Sequence, residues 1–212
     1  YMVSMGFGYP LGIDLPGEKR GMIPNAKYYD KAYRGSWNGL TIISISIGQG
    51  EVTLTPLQIA NLGATIANRG YYITPHVVKS IENDAIDTLY TQKKYTKVDR
   101  IHYEEVVEGM RMAVTGGTCR MANLPDIEVC GKTGTAQNRG KDHSAFMGFA
   151  PMNNPKIAIA VYVENGGFGA VYGVPIGRLM IEQYLKGELT PQDEELATDI
   201  QNRRIDYGIH ER

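Results

Sequence analysis

With 212 residues, 22 basic and 23 acidic side chains and a formal net charge of −1, the chain lacks the basic footprint that nucleic acids select, so no nucleic-acid partner is expected. No run approaches the ~18 consecutive apolar residues of a membrane span, and Tyr1 to Pro10 has neither the charged start nor the apolar centre of a signal peptide. The length suffices to bury a core as one large domain or one and a half.

Tyr1 to Asn25 holds Gly6, Gly8, Pro10, Gly12, Pro16, Gly17, Gly21 and Pro24, a composition of turns and loops. It opens without a cap or any start signal, which suggests a chain cut from the middle of a larger domain. An apolar run, Leu40 to Ile47, closes on Gly48-Gln49-Gly50. A glutamine between two glycines reads as a turn residue bonded to its own backbone rather than as a site residue. Thr55 then caps a helix, Pro56 suits its first position, Leu57, Ala60, Ala64 and Ala67 follow, and Gly70 stops it. The small residues along this helix favour close burial.

Tyr71 to Lys94 reads as a peripheral hairpin, with strands near His76 to Ile81 and Asp87 to Gln92 around Asn83-Asp84. Asp99 is placed to cap a second helix, Ile101 to Val114, turning Val106, Val107, Met110 and Ala113 to a core and leaving His102 at the surface. After the break at Gly116-Gly117 come three strand-like runs, Ile127 to Gln137, Ser144 to Pro151 and Ile157 to Asn165. Their separators are short, so neighbours pair antiparallel. Pro175 opens a helix whose stripe of Ile176, Leu179, Met180, Gln183 and Tyr184 would cover one face of that sheet. Thr190-Pro191 starts a charged segment to Arg212, read as a partly ordered helical tail. The fold class is α+β, an antiparallel sheet flanked by helices, with residues 1–188 as the domain and 189–212 as the tail.

The chemistry is concentrated in Glu128 to Gln137, where Lys132, Thr133, Gly134 and Thr135 put one cation and two hydroxyls within four residues. In an extended strand Lys132 and Gly134 face one way, Thr133 and Thr135 the other, and Gly134 lets a ligand backbone lie close. A peptide laid along such an edge bonds to main-chain groups while the side chains offer charge and hydroxyls to a carboxylate. Two other readings stand beside this one. Gly131-Lys132-Thr133 is the tail of a phosphate loop, but that pattern needs a glycine where Asp126 sits. An ordinary turn with a solvated lysine would also contain Lys-Thr-Gly. Neither Cys119 and Cys130 nor His76, His102, His143 and His210 cluster at metal-ligand spacing, so no metal or cofactor is expected. The cysteine spacing fits either a disulfide or two free thiols.

Taken together, Gly12-Ile13-Asp14-Leu15-Pro16-Gly17-Glu18, Ile47-Gly48-Gln49-Gly50 with Thr55-Pro56-Leu57-Gln58, Lys132-Thr133-Gly134-Thr135-Ala136-Gln137, and His143 to Pro151 followed by Val163-Glu164-Asn165-Gly166-Gly167 resemble the class B penicillin-binding proteins, most closely those of the cell-elongation machinery. The resemblance runs from about Gly6 to Leu185 and implies a partial penicillin-binding, serine β-lactamase-like transpeptidase fold. It implies a serine acyl-transferase that cross-links peptidoglycan stem peptides ending in D-Ala-D-Ala and that β-lactams acylate. Lys132 and Thr133 would bind the substrate carboxylate, Thr135 would hold the acyl donor and lend its N–H as an oxyanion donor, and Gly134 would keep the strand open. The implied partners are stem peptides, β-lactams, and the glycosyltransferase and scaffold proteins of cell elongation. The implied location is the periplasmic face of the inner membrane, reached through an N-terminal anchor outside this sequence.

One departure limits the resemblance. The family's nucleophile lies in Ser-x-x-Lys, with Ser-x-Asn nearby, and none of Ser4, Ser36, Ser44, Ser46, Ser80 and Ser144 has a lysine three residues on. Ser36-Trp37-Asn38 spells Ser-x-Asn by coincidence, away from the family's motif position. The nucleophile is expected before Tyr1, and these residues alone should not turn over substrate. A serine β-lactamase or β-lactam sensor piece, and a non-catalytic peptidoglycan-binding module, are the alternatives from the same residues.

Overall fold

The computed structural model describes residues 1–205 and 207. A 3-10 turn at Met2–Met5 opens a loop that ends at α1 (Ala26–Ala32), where the Asn25 side chain accepts from Tyr28 N. The apolar run becomes a helix, α2 (Gly39–Ser46), capped by Asn38 and with none of its residues buried. Helix α3 (Pro56–Ala67) has the expected Thr55 cap, completed to a capping box by Gln58. Gln58 is buried and its Nε2 also donates to the carbonyls of Gly6, Tyr9 and Arg20, so one side chain ties the N-terminal loop to α3.

The hairpin is real only at its base. Strand β1 (Tyr71–Tyr72) pairs antiparallel with β2 (Lys94–Tyr95). The expected strands at His76 to Ile81 and Asp87 to Gln92 do not form: a loop with a 3-10 turn at Thr88–Tyr90 takes their place. The Asp14 carboxylate accepts from Val77 N and Val78 N, which uses donors that a ladder would need. Helix α4 (Ile101–Thr115) is not capped by the Asp99 side chain, since Arg100 takes the N-cap position with no side-chain hydrogen bond. Its buried face is Tyr103, Val107, Met110 and Val114, with Val106 exposed. His102 is at the surface.

Strands β3 (Cys130–Ala136), β4 (His143–Ala150) and β5 (Ile157–Val163) form one antiparallel sheet in that order. Helices cover both faces. On one, Ile66 and Ala67 of α3 and Tyr103, Val107 and Met110 of α4 pack on Cys130 and Phe149. On the other, Phe146, Ile159 and Val161 pack on α5 (Gly173–Lys186) through Val174 and Ile181. The α5 stripe is therefore offset from the expected one: Met180 and Tyr184 are exposed, and the buried face is Val174, Gly177, Ile181 and Glu182. The reason is local. Gly173 lies against the main chain of Ala145 and Phe146, Gly177 lies on the Phe146 ring, and a side chain at Gly177 would enter that ring, so the helix presents its smallest residues to the sheet. Helix α6 (Pro191–Asn202) forms within the charged segment, held by Arg178 and Asp193 at 2.8 Å. Residues 206 and 208–212 of that segment, His210 among them, lie outside the described residues.

Candidate functional site

The edge strand β3 carries the candidate site residues Lys132, Thr133, Gly134 and Thr135. Cys130 points into the α3–α4 cluster, and Gly131 abuts the Phe146 ring on the α5 side. Alternation then puts Lys132 and Gly134 on the α3–α4 face and Thr133 and Thr135 on the α5 face. Thr133 Oγ1 lies 2.9 Å from Thr118 Oγ1. Gly169 packs on Thr133 from the loop between β5 and α5, where no larger residue fits against the Gly134 and Ala145 carbonyls. Ser144 holds that loop, donating from Oγ to Phe168 O at 2.9 Å and accepting from Gly173 N at 3.0 Å. His143 adds a contact by accepting from Asn165 N at Nδ1, 2.9 Å.

Beside β3 opens a largely apolar cavity of about 760 Å³ between α2, the Gly48-Gln49-Gly50 turn, the start of α3 and residues Gly134, Thr135 and Ala136. Strand β3 has β4 on one side only. The carbonyls of Thr133 and Thr135, two residues apart, leave the strand on the same side, and both accept from side chains rather than from a neighbouring strand. Lys132 Nζ donates to Thr133 O at 2.8 Å, and Gln49 Nε2 donates to Thr135 O at 3.1 Å. Gln49 is thus not a turn residue bonded to its own backbone. Its carboxamide crosses to a residue 86 positions away.

The turn that delivers Gln49 is anchored by its neighbour. Glu51 accepts from the Tyr33 and Tyr29 hydroxyls, the latter at 2.9 Å. The phenol of Tyr33, then that of Tyr29, holds the Glu51 carboxyl below its ordinary range. Burial and the same carboxylate push the Tyr29 hydroxyl up to about 12.

Lys132, Thr133, Gly134 and Thr135, singled out from sequence, lie together on this strand, and Gly134 and Thr135 of them line the cavity. Gln49, Thr118 and Ser144 were missed as contributors. For Gln49 the flanking glycines were the one available signal; Thr118 and Ser144 carry none. The cysteines are free thiols on opposite faces of the sheet, Cys119 in the α5 cluster and Cys130 in the α3–α4 cluster. Burial pushes both thiols up, that of Cys130 to about 11. Among the described residues no group of three or more His, Cys, Asp or Glu side chains is placed to hold a metal ion. No helix of the described residues is long and apolar enough to cross a membrane.

The site is thus an edge strand reading Lys-Thr-Gly-Thr, with β4 on one side and a cavity beside Gly134 and Thr135. The penicillin-binding protein transpeptidase domain matches residues 1–181, and the chain belongs to that family. It is 32% identical to the peptidoglycan D,D-transpeptidase MrdA of Haemophilus influenzae over 96% of this chain, and spans 35% of that relative's length. The crystal structure of Pseudomonas aeruginosa PBP2 in complex with WCK 5153 superposes with a TM-score of 0.78 at 34% identity, covering 90% of this chain and 43% of that one. Helicobacter pylori PBP2, in its complex with MreC, gives a TM-score of 0.74 at 28% identity, over 88% of this chain and 35% of that one.

Proposed function

We propose that these residues form the substrate-strand part of a peptidoglycan D,D-transpeptidase of the cell-elongation type. The observation that carries the proposal is the edge of β3 with no strand beside it among the described residues, where the Thr133 and Thr135 carbonyls leave the sheet and are held by side chains alone. A stem peptide ending in D-Ala-D-Ala lies along that edge. Lys132 and Thr133 bind its terminal carboxylate, the Thr135 side chain holds the acyl donor, and Gly134 leaves room for the backbone. A serine of the complete protein, outside these 212 residues, attacks the penultimate D-Ala carbonyl. The Thr135 N–H supplies one oxyanion donor, terminal D-Ala leaves with the proton on its amine, and an amine of a neighbouring stem peptide takes the acyl group. A β-lactam enters the same step, and its ring C–N bond breaks instead.

The complete protein then works at the periplasmic face of the inner membrane, with residues 1–188 inside the transpeptidase domain and 189–212 as its C-terminal tail. The H. pylori relative seen with MreC supports a scaffold partner of that kind, and a structural relative described as a peptidoglycan synthase complex that coordinates polymerization and crosslinking supports a glycosyltransferase partner. Fluorescent penicillin tests the reading. The complete protein should take covalent label at a serine outside these residues, and the 212-residue polypeptide should take none, because no serine in it has a lysine base three residues on. Stoichiometric label on any serine of this chain would refute it.

A further inference from the structure

A peptide laid along β3 as an added strand needs the edge carbonyls of Thr133 and Thr135 as acceptors, and both are occupied from within the chain. The two donors differ in kind. Lys132 is a flexible side chain beside its acceptor, free to swing to a ligand carboxylate. Gln49 is half-buried and brought in by the backbone: Gly48 and Gly50 take left-handed conformations at φ 77° and 69°, open to glycine at little cost, and Glu51 pins the next residue to Tyr29 and Tyr33. A side chain set on the acceptor by its own fold is an intramolecular competitor for whatever else uses that acceptor.

We propose that Gln49 is a specificity-determining residue of the cleft: its carboxamide closes Thr135 O in the free protein and is displaced by the amide N–H of an extended acyl donor. This rests on the transpeptidase reading above. The ligands it governs are those that put an acylated amine against Thr135 O, peptides and acylamino β-lactams alike. A ligand with no such amide does not compete with Gln49. Displacement exchanges one amide–carbonyl bond for another, so the free cleft presents no open acceptor to solvent, and a ligand must bring its own donor to the strand.

The test uses the complete protein as wild type, Gln49→Ala and Gln49→Glu, with second-order acylation rate constants for benzylpenicillin, which carries an acylated amine, and for penicillanic acid, which has no nitrogen at that carbon. Removing the competitor should raise the benzylpenicillin to penicillanic acid rate ratio by about two- to tenfold, the worth of one neutral hydrogen bond. Gln49→Glu has no N–H to donate and should shift the ratio in the same direction. The ratio guards against partial misfolding, which lowers both rates together. A ratio that stays put or falls in both variants overturns the proposal while leaving the transpeptidase reading intact. A wild-type protein that neither ligand acylates takes down both.

Discussion

Lys132 is exposed, donates from Nζ to the neighbouring Thr133 carbonyl, and belongs to neither core cluster among the described residues. Its replacement therefore separates site from scaffold. Losing a hydrogen bond to a charged group costs about 1.5 to 3 kcal/mol, so Lys132→Ala in the complete protein should acylate roughly ten- to hundred-fold more slowly at an unchanged melting temperature. Arginine, with its wide planar fork, should restore only part of the rate. An unchanged rate would remove Lys132 from the site, and a collapsed melting temperature would make it a folding residue. The Glu51 clamp has two pH limits of opposite origin. Glu51 is held below its ordinary 4.5, so its contribution is present above that value and is lost as pH falls through its lowered folded value. Tyr29 is raised from 10.0 to about 12, so its contribution is complete below pH 10 and is lost as pH climbs toward 12. Trp37, the only tryptophan, stacks 5.7 Å from Tyr29. Its fluorescence should stay flat between those limits and change beyond each; a flat trace from pH 3 to 12 would break the clamp.

At the scale of elements, the sheet and α5 approach as closely as glycine allows. Gly131 and Gly148 face each other across β3 and β4, and a methyl on either would come within 2.6 and 2.7 Å of the buried Phe146 ring. Gly177 meets the same ring from α5. Gly177→Ala should thus destabilise by about 1 to 3 kcal/mol, despite alanine's better helix propensity, because the ring has no empty space to enter. Chemical denaturation of the variant checks this, and an unchanged midpoint would mean that α5 shifts outward freely. The glycines also account for the misread stripe. Periodicity in α5 ranks Met180 and Tyr184 as core, but a helix pressed on an aromatic ring is turned by its small residues, not its large ones.

For the whole molecule, helix α6 depends on a buried charge cluster. Arg178 bonds Asp193 at 2.8 and 3.0 Å and also the Met121 and Asn123 carbonyls, joining α5, α6 and the turn before β3. Burial pushes the Asp193 carboxyl up, and its bonds to Glu182 and Arg178 outweigh that and leave it lowered. Glu182, equally buried, pairs with Lys186 at 3.1 Å. Removing the guanidinium strands buried carboxylates, so Arg178→Ala should cost about 3 to 5 kcal/mol, with α6 protected least in hydrogen exchange. Wild-type exchange along α6 would show that its backbone docks without the pair.

How far the sequence alone reached depends on the range of the force concerned. Thr55-Pro56 as a helix start, the three strands and their antiparallel order, and Lys132 to Thr135 on one strand were all legible, because capping, alternation and short connections act within a few residues. Asp99 failed as a cap, and the expected strands around Asn83-Asp84 failed because the Asp14 carboxylate takes two of their donors from across the chain. Tertiary structure alone decided that Gln49 lies on Thr135, that Gln58 binds the N-terminal loop, and that glycines rather than large apolar residues set the face of α5. Each is a contact between residues far apart in the chain, where local pattern carries no information: a carboxamide bonds whichever carbonyl the fold brings within reach.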